Sequence, residues 1–159
     1  MIGILNKSIN FHHEITIQEE VNKVFTSVIL PGQIKLWLDD FEKAELIGSL
    51  LEESGNQFLV TYNLVGRRTN FITDIVTFKN GEELSFIAYP PQMTISIHFK
   101  FKEIENGTYL ISETSIKGNS IFWRSSLVLL KPLFKKEFHK NLLRLKQRFL
   151  LEGVLQRKL

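Results

Sequence analysis

The sequence predicts an α+β fold in which a curved antiparallel sheet is closed by one long C-terminal helix. Between Asn56 and Lys117, short segments alternate apolar and polar residues, which is the pattern of half-buried strands. From Ser120 to Leu151 the apolar residues instead recur every three or four positions, as on one face of a helix. A sheet of about seven strands that curves around one helix leaves a cavity between them. The order of elements therefore indicates a protein that holds an apolar molecule.

Length and composition set the first limits on the class of protein. The 159 residues are expected to form one domain, spanning 1–159 with a core from 9 to 152. Hydrophobic residues make up 43%, yet no apolar run approaches the roughly 20 residues that a bilayer requires. Met1 to Lys7 lacks the features of a secretion signal, so we expect a cytoplasmic protein. The sequence has no cysteine, which removes thiol nucleophiles, disulfides and thiolate metal sites.

Charge is distributed unevenly along the chain. Residues 120–159 hold ten Lys or Arg against two acidic residues, whereas the preceding residues hold ten basic and fifteen acidic ones. Lys136, Lys140, Arg144 and Arg148 repeat every four residues, a spacing at which like charges repel. They form either a solvated helix face or a surface for transient contact with an anionic membrane. Nucleic-acid binding is not expected, because no strip of interleaved aromatic and basic residues is present.

The N-terminal third predicts a strand followed by two short helices. Ile9 to Ile17 alternates with a period of two and predicts a strand. Apolar residues at helical spacing predict a helix over Gln18 to Ile29, ended by Pro31-Gly32. A second short helix, Gln33 to Leu38, carries Trp37.

Six further strands are predicted, over 41–52, 57–65, 69–78, 84–89, 93–104 and 108–117. Asn80-Gly81 and Asn106-Gly107 are strong hairpin signals because both residue types accept positive φ. Met93 to Ile104 alternates most regularly, with Met93 on the apolar side and His98 on the side facing solvent.

The last element carries one continuous apolar stripe, formed by Trp123, Leu127, Leu130, Phe134, Phe138, Leu142, Leu145 and Phe149. Pro132 interrupts the pattern. Because proline removes a helical hydrogen bond, the segment is expected to be a short helix joined to a longer one that begins near Pro132.

Three segments strengthen the layout: ITIQEEVNKVFTSVILPGQIKLWL, FLVTYNLVGRRTNFITDIVTF and PLFKKEFHKNLLRLKQRFLLEG. Together they resemble the SRPBCC superfamily, which has the helix-grip fold and includes START-like lipid-transfer domains and polyketide cyclases or dehydrases. The resemblance covers about residues 9 to 152 and rests on diffuse patterns of hydrophobicity and turns. It implies a cavity for a lipid, polyketide or similar apolar molecule. It implies no catalytic residue, because the superfamily shares no catalytic set.

Several side chains are candidates for contact with a ligand. His13 shares a face with Phe11 and Ile15 and either points into the cavity or is a structural histidine. Arg68, Asp74 and Ile72 occupy alternate positions of one predicted strand, so their side chains share one face of it (one parity). If that face points inward, the two charged side chains reach the cavity, where they require pairing or ligand contact. The opposite parity, which includes Phe71 and Ile75, is the other possible inner face, and in that case Arg68 and Asp74 are a solvent-exposed or structural pair.

Aromatic residues complete the candidate set. Tyr62 is in register with Phe58 and Val60, so its ring is expected inside, where its hydroxyl requires a partner. Trp37 and Trp123 flank the cavity in the expected layout and are either core or ligand contacts. Phe134 and Phe138, on the helix stripe, are the remaining ligand-binding candidates.

These observations favour a protein that binds or transports a small hydrophobic ligand in an internal cavity. The alternative is a cyclase- or dehydrase-type enzyme in which His13, Tyr62, Arg68 or Asp74 polarises a carbonyl or moves a proton. A third interpretation is a partner-binding module that uses the basic helix. No cofactor and no metal site are expected, since no histidine has a carboxylate at a suitable spacing.

Overall fold

The computed structural model describes residues 8–48, 55–64 and 66–158. Seven strands, two short helices and one long helix follow each other along this part of the chain. Their bounds are β1 Ile9–Ile17, α1 Val21–Ile29, α2 Pro31–Ile34, β2 Phe41–Ile47, β3 Gln57–Leu64, β4 Arg67–Lys79, β5 Glu83–Ala88, β6 Met93–Ile104, β7 Gly107–Gly118 and α3 Ile121–Arg157. The predicted α+β class, a curved antiparallel sheet with a long C-terminal helix, is confirmed.

The strands form one antiparallel sheet in the order β1-β7-β6-β5-β4-β3-β2. Strands β2 to β7 are a simple meander in which each strand pairs with its neighbour in sequence. The first strand instead pairs with the last, so that Ile17 lies opposite Thr108. This pairing brings the start of the chain beside the strand that leads into α3.

One face of the sheet and the inner side of α3 enclose the apolar core. Along β1 every second residue is buried, beginning with Ile9 and ending with Ile17. Leu142, Leu145 and Phe149 of α3 are buried in the same cluster as α1 and the inner face of the strands. A smaller cluster under the first turns of α3 includes Met93, Ile116 and Leu127. The predicted apolar stripe of α3 is therefore the side that faces the sheet.

The two short helices differ from their predicted bounds. α1 begins at Val21 rather than Gln18, because Glu20 has extended backbone angles and acts as the N-cap. α2 spans Pro31–Ile34. It begins at Pro31 rather than Gln33 because the fixed φ of proline suits the first position of a helix. Trp37 therefore lies in the turn after α2, and its indole N–H donates a hydrogen bond to the Ser27 carbonyl at 2.9 Å.

The predicted β4–β5 and β6–β7 hairpins are present, with small shifts in their turns. Lys79 pairs with Glu83, so three residues including Gly81 at φ 74° connect β4 to β5. In the second hairpin Ile104 pairs with Gly107, so the two turn residues are Glu105 and Asn106. The turn thus lies one position nearer the N-terminus than the predicted Asn106-Gly107.

The expected break at Pro132 is wrong, because α3 runs through it as one helix of 37 residues. Pro132 and Val128 are both solvent-exposed, so the Val128 carbonyl that loses its N–H partner can be hydrated instead. Packing of the stripe on both sides of the proline holds the two halves together. The helix begins at the Ser120 N-cap, whose hydroxyl accepts a hydrogen bond from the Trp123 N–H at 3.2 Å.

Some sequence expectations fall on residues that the structure does not describe. They concern residues 1–7, the part of the predicted strand 41–52 that follows Gly48, and Val65, the last residue of the predicted strand 57–65. Over the described part of the chain, no helix combines the length and apolarity needed to cross a bilayer.

Candidate ligand cavity

A cavity of about 410 Å³ lies between the inner face of the sheet, the two short helices and the middle of α3. Volumes of this size are typical of sites for small organic molecules, which occupy roughly 300 to 1,000 Å³. The middle of α3, residues 130–141, forms one wall of the cavity, and the inner face of the sheet forms the opposite wall. The predicted cavity is present.

The walls are almost entirely apolar. Strands β3 to β6 contribute inward-facing side chains in register with one another, since Thr73 pairs with Ala88 and Ala88 pairs with Ile95. The apolar wall residues include Ile29, Trp37, Phe41, Phe58, Val60, Phe71, Phe86, Ala88, Ile95, Ile97, Phe99, Leu130, Phe134 and Phe138. An apolar molecule that entered this space would leave water and gain contact with aromatic and branched side chains.

Few of the described lining residues are polar: Asp40, Tyr62, Asn63, Thr73, Glu137 and Asn141. The Asn63 side chain lies on the outer face of the sheet with its cross-strand partner Arg68. Asn141 is buried, and its side-chain oxygen accepts a hydrogen bond from the Arg144 guanidinium at 3.3 Å. Asp40 and Asn63 are joined through the backbone, where the Asn63 N–H donates to the Asp40 carbonyl at 2.7 Å. Asp40 and Glu137 both lie near Tyr62, because their charges act on its hydroxyl, so these three residues form one polar end of the cavity. Thr73, like Asn141, is buried.

Tyr62 is the largest polar group in the wall. Burial raises the pKa of its hydroxyl, and the negative charges of Asp40 and Glu137 raise the pKa further. Tyr62 therefore stays a neutral phenol at physiological pH. Its hydroxyl makes no hydrogen bond to any residue that the structure describes. A bound molecule could accept from it or donate to it.

The mouth of the cavity lies at the same end. Among the lining residues, Asp40, Asn63, Gly66 and Leu133 are solvent-exposed. They come from the turn before β2, the end of β3 with the turn that follows it, and the middle of α3. The opening therefore lies between α3 and the turns at one end of the sheet.

Several solved structures share this architecture at low sequence identity. TTHA0849 from Thermus thermophilus has a TM-score of 0.72 at 14% identity, covering 91% of this chain and 99% of its own. A conserved protein from Geobacillus kaustophilus has a TM-score of 0.72 at 12% identity, with coverage of 89% and 95%. Ara h 8.0201 has a TM-score of 0.63 at 12% identity, with coverage of 91% and 99%. This is the helix-grip fold. No family model and no curated protein matches the sequence.

Within this helix-grip fold, four of the predicted ligand-binding residues line the cavity. They are Trp37, Tyr62, Phe134 and Phe138. The ring of Phe138 also packs against Phe11 of β1, with 5.7 Å between ring centroids. The period of two in strands and of about 3.6 residues in helices thus predicts these side chains on the buried faces that meet at the cavity.

Arg68 and Asp74 do not line the cavity. The inward positions on β4 are Phe71, Thr73 and Ile75. The face that carries Arg68, Ile72 and Asp74 therefore points outward. Arg68 is exposed and pairs with Glu42 at 2.9 Å, and Asp74 accepts a hydrogen bond from Gln57 at 2.7 Å. Both charges remain on the outer face, which avoids the free-energy cost of burial.

Trp123 also lies outside the cavity lining. It is half-buried at the start of α3, where it packs against the smaller cluster that contains Met93 and Leu127. Its indole ring contacts Phe122 edge-on, with 5.4 Å between centroids. The core alternative therefore describes Trp123 better than the ligand alternative.

His13 is buried but does not reach the cavity. Its ring stacks on that of His139 from α3, with 5.5 Å between centroids and 25° between planes. Burial lowers the pKa of His13, and the charges of His139, Lys135 and His12 lower it further, whereas a backbone hydrogen bond at Lys135 opposes them. Ser112 is its partner on the neighbouring strand. His13 is thus a neutral contact between β1 and α3.

This contact predicts a pH dependence of stability. In the unfolded chain, His13 takes up a proton near pH 6.5, whereas in the folded state its lowered pKa shifts protonation to a lower pH. The contribution of His13 to the free energy of unfolding is therefore fully present above pH 6.5. It is lost as pH falls through the lowered pKa. Urea unfolding of His13→Gln should lose less stability between neutral pH and about pH 5.5 than the unsubstituted protein does. His98→Gln, on the outer face, is the control and should not reduce this loss. Equal pH dependence in His13→Gln and the unsubstituted protein would contradict the assignment.

Half of the basic repeat on α3 is engaged within the protein. Arg144 pairs with Asp39 at 2.7 Å, and its side chain is only 27% exposed. Arg148 is 16% exposed and contacts Gln33 and Glu152. Arg144 and Arg148 therefore do not belong to a solvated face, because both bind polar side chains of the segment around α2. Lys136 and Lys140 remain exposed.

Sequence reasoning missed the polar residues near the mouth. Glu137 and Asn141 share the inner side of α3 with Leu130 and Phe134 at spacings of three and four. That spacing could have identified them, because polar residues that interrupt an apolar stripe point toward the same space. Asp40 carried no comparable signal, since it lies in an irregular turn.

Proposed function

We propose that this protein binds a small hydrophobic molecule in the cavity beneath α3. The observation that carries the proposal is an apolar cavity of about 410 Å³ whose described lining includes few polar residues. A void of this size costs packing free energy in a folded protein, and an apolar occupant would recover it. The resemblance to START-like and related helix-grip proteins supports the same function.

The cyclase or dehydrase alternative has less support. It relied on four polar side chains, and of these only Tyr62 lines the cavity. A phenol whose pKa is raised is a weak acid at neutral pH and has little of the phenolate form that could act as a base. We therefore propose binding or transport rather than catalysis.

A co-purified ligand would test this function directly. Native mass spectrometry of the gently purified protein should show a bound mass in addition to the polypeptide, and solvent extraction should release it. After extraction, the protein should bind an apolar fluorescent probe at one site per chain. An extracted protein that binds no apolar probe at all would contradict the proposed function.

We also propose that α3 contacts an anionic membrane while the ligand is exchanged. On its outer side, Leu129 is 83% exposed and Leu133 is 56% exposed, and Leu133 also borders the mouth. Lys136 and Lys140 follow on the same side of the helix at spacings of three and four. Apolar residues that can enter the headgroup region beside cations that face lipid phosphates fit an anionic surface.

This proposal predicts charge-dependent vesicle binding. The protein should bind vesicles that contain anionic lipid more tightly than neutral vesicles, and the difference should shrink with salt. Each exposed Lys contributes on the order of 1 kcal/mol near such a surface, so Lys136→Glu with Lys140→Glu should abolish the preference. The control variant, Lys102→Glu with Lys117→Glu on the outer face of the sheet, has the same change in net charge. It should retain the preference for anionic vesicles. Equal binding to both vesicle types would leave the two lysines as a solvated face.

A further inference from the structure

The charged side chains that line the cavity in the described part of the chain are all of one sign. Among the described residues, Asp40 and Glu137 are the only ionisable carboxyl groups in the lining, and no Lys, Arg or His lines it. The chain as a whole has 20 basic residues against 17 acidic ones, so this arrangement is opposite to the overall balance. The end of the cavity where a ligand's polar group would lie is therefore negative.

Neither carboxylate is neutralised by the surrounding protein. Asp40 and Glu137 form no ion pair with any residue in the described part of the chain, whereas Asp39, next to Asp40, does. The cation that pairs with Asp39 is Arg144, which also donates to the Asn141 side chain. The charge of Arg144 is thus already compensated.

The remaining polar groups are neutral. The Tyr62 hydroxyl is near enough to Asp40 and Glu137 for both charges to act on it, and it has no partner among the described residues. It can accept a hydrogen bond from a ligand or donate one. A carboxylate or phosphate on the ligand could receive that single hydrogen bond, but it would find no cation among the described lining residues and would face two negative charges.

We propose that the ligand is an apolar molecule whose polar end is a cation or a neutral hydrogen-bonding group, such as an amine or an alcohol, and not a free acid or phosphate. This inference rests on the proposed binding function and assigns the chemical class of the ligand. An ammonium group at the mouth would sit beside Asp40 and Glu137, where the reduced dielectric strengthens attraction relative to bulk water. A hydroxyl would hydrogen-bond to Tyr62 or a carboxylate, whereas an anion would lose hydration without gaining a counter-ion.

Three amphiphiles with the same chain test the inference: dodecylamine, dodecanol and dodecanoate. Each would compete at neutral pH with an apolar fluorescent probe bound to the protein, at concentrations below micelle formation. We expect the amine to bind at least about tenfold more tightly than the acid, with the alcohol between them. Because the mouth is partly exposed, added salt should reduce the difference between amine and acid.

Charge variants locate the effect. Asp40→Asn with Glu137→Gln should remove most of the amine's advantage over the acid, and Glu137→Lys should reverse the order. Glu103→Gln with Glu105→Gln, in exposed positions at the β6–β7 turn, makes the same change in net charge and should preserve it. Dodecanoate that binds as tightly as dodecylamine would overturn the inference. If the probe binds but no amphiphile displaces it, the inference also fails while the binding function stands; if the probe itself does not bind, the binding function fails.

Discussion

Replacing Phe149 by alanine should lower the free energy of unfolding by about 3 to 5 kcal/mol, the range for a buried aromatic ring. Phe149 is 6% exposed and packs in the main core, outside the cavity lining. Phe138→Ala, on the same helix, should cost less than about 3 kcal/mol. Part of the Phe138 ring already faces empty space, so its removal enlarges an existing cavity and breaks fewer contacts. Urea denaturation of the two variants would measure both free energies.

The two substitutions form a matched pair, because they remove the same side chain from the same face of the same helix. A cost for Phe138→Ala equal to that for Phe149→Ala would indicate that Phe138 is ordinary core. Phe138→Ala should also accept a larger apolar probe than the unsubstituted protein. That gain of volume at a small cost in stability separates a cavity wall from a packed interior.

Ala88→Trp should abolish binding of an apolar ligand while the fold is retained. Ala88 is a small residue of the β5 wall, and a large ring at this position would project into the empty volume. We expect affinity for an apolar probe to fall by more than about a hundredfold, which corresponds to about 2.8 kcal/mol. In a fully packed core such a substitution would overpack and destabilise by about 1 to 3 kcal/mol. Here the ring has space, so the unfolding midpoint should change little.

Ile87→Trp is the matched control, since Ile87 directly precedes Ala88 on the same strand and faces the other side of the sheet. Its neighbours across the strands are Asp74 and Ser96, both on the outer face. Binding in this variant should stay within a factor of about two of the original. Strong probe binding by Ala88→Trp would contradict the position assigned to the ligand, and circular dichroism of both variants would verify the fold.

Much of the fold is predictable from this sequence because its periods are clear. Met93 to Ile104 alternates so regularly that its bounds and its inner face follow from pattern alone. The stripe from Trp123 to Phe149 likewise defines which side of α3 is buried. Strand β4 is ambiguous in the sequence because polar and apolar residues occupy both parities. Its inner face is decided by neighbours, since Thr73 pairs with Phe58 and Ala88 from adjacent strands.

The site is less predictable, since it depends on contacts between distant parts of the chain. His13 has an inward parity in the sequence, yet α3 covers it with His139 before it can reach the cavity. Arg144 belongs to a repeat that indicates a solvated face, yet Asp39 lies within ion-pair distance in the folded protein. A helical period specifies the side of a residue but not the partner that the tertiary fold brings to it.

The pairing of β1 with β7 has a consequence for how the protein folds. Strands β2 to β7 can form as successive hairpins, whereas Ile17 must find Thr108 across most of the chain. Closing so long a loop is entropically costly, so this step is expected to come late and to limit the folding rate. The cavity has no complete wall until α3 and the α1–α2 segment, which follows β1 in the chain, have docked. A ligand therefore cannot speed folding, and it prolongs the lifetime of the folded state by slowing unfolding.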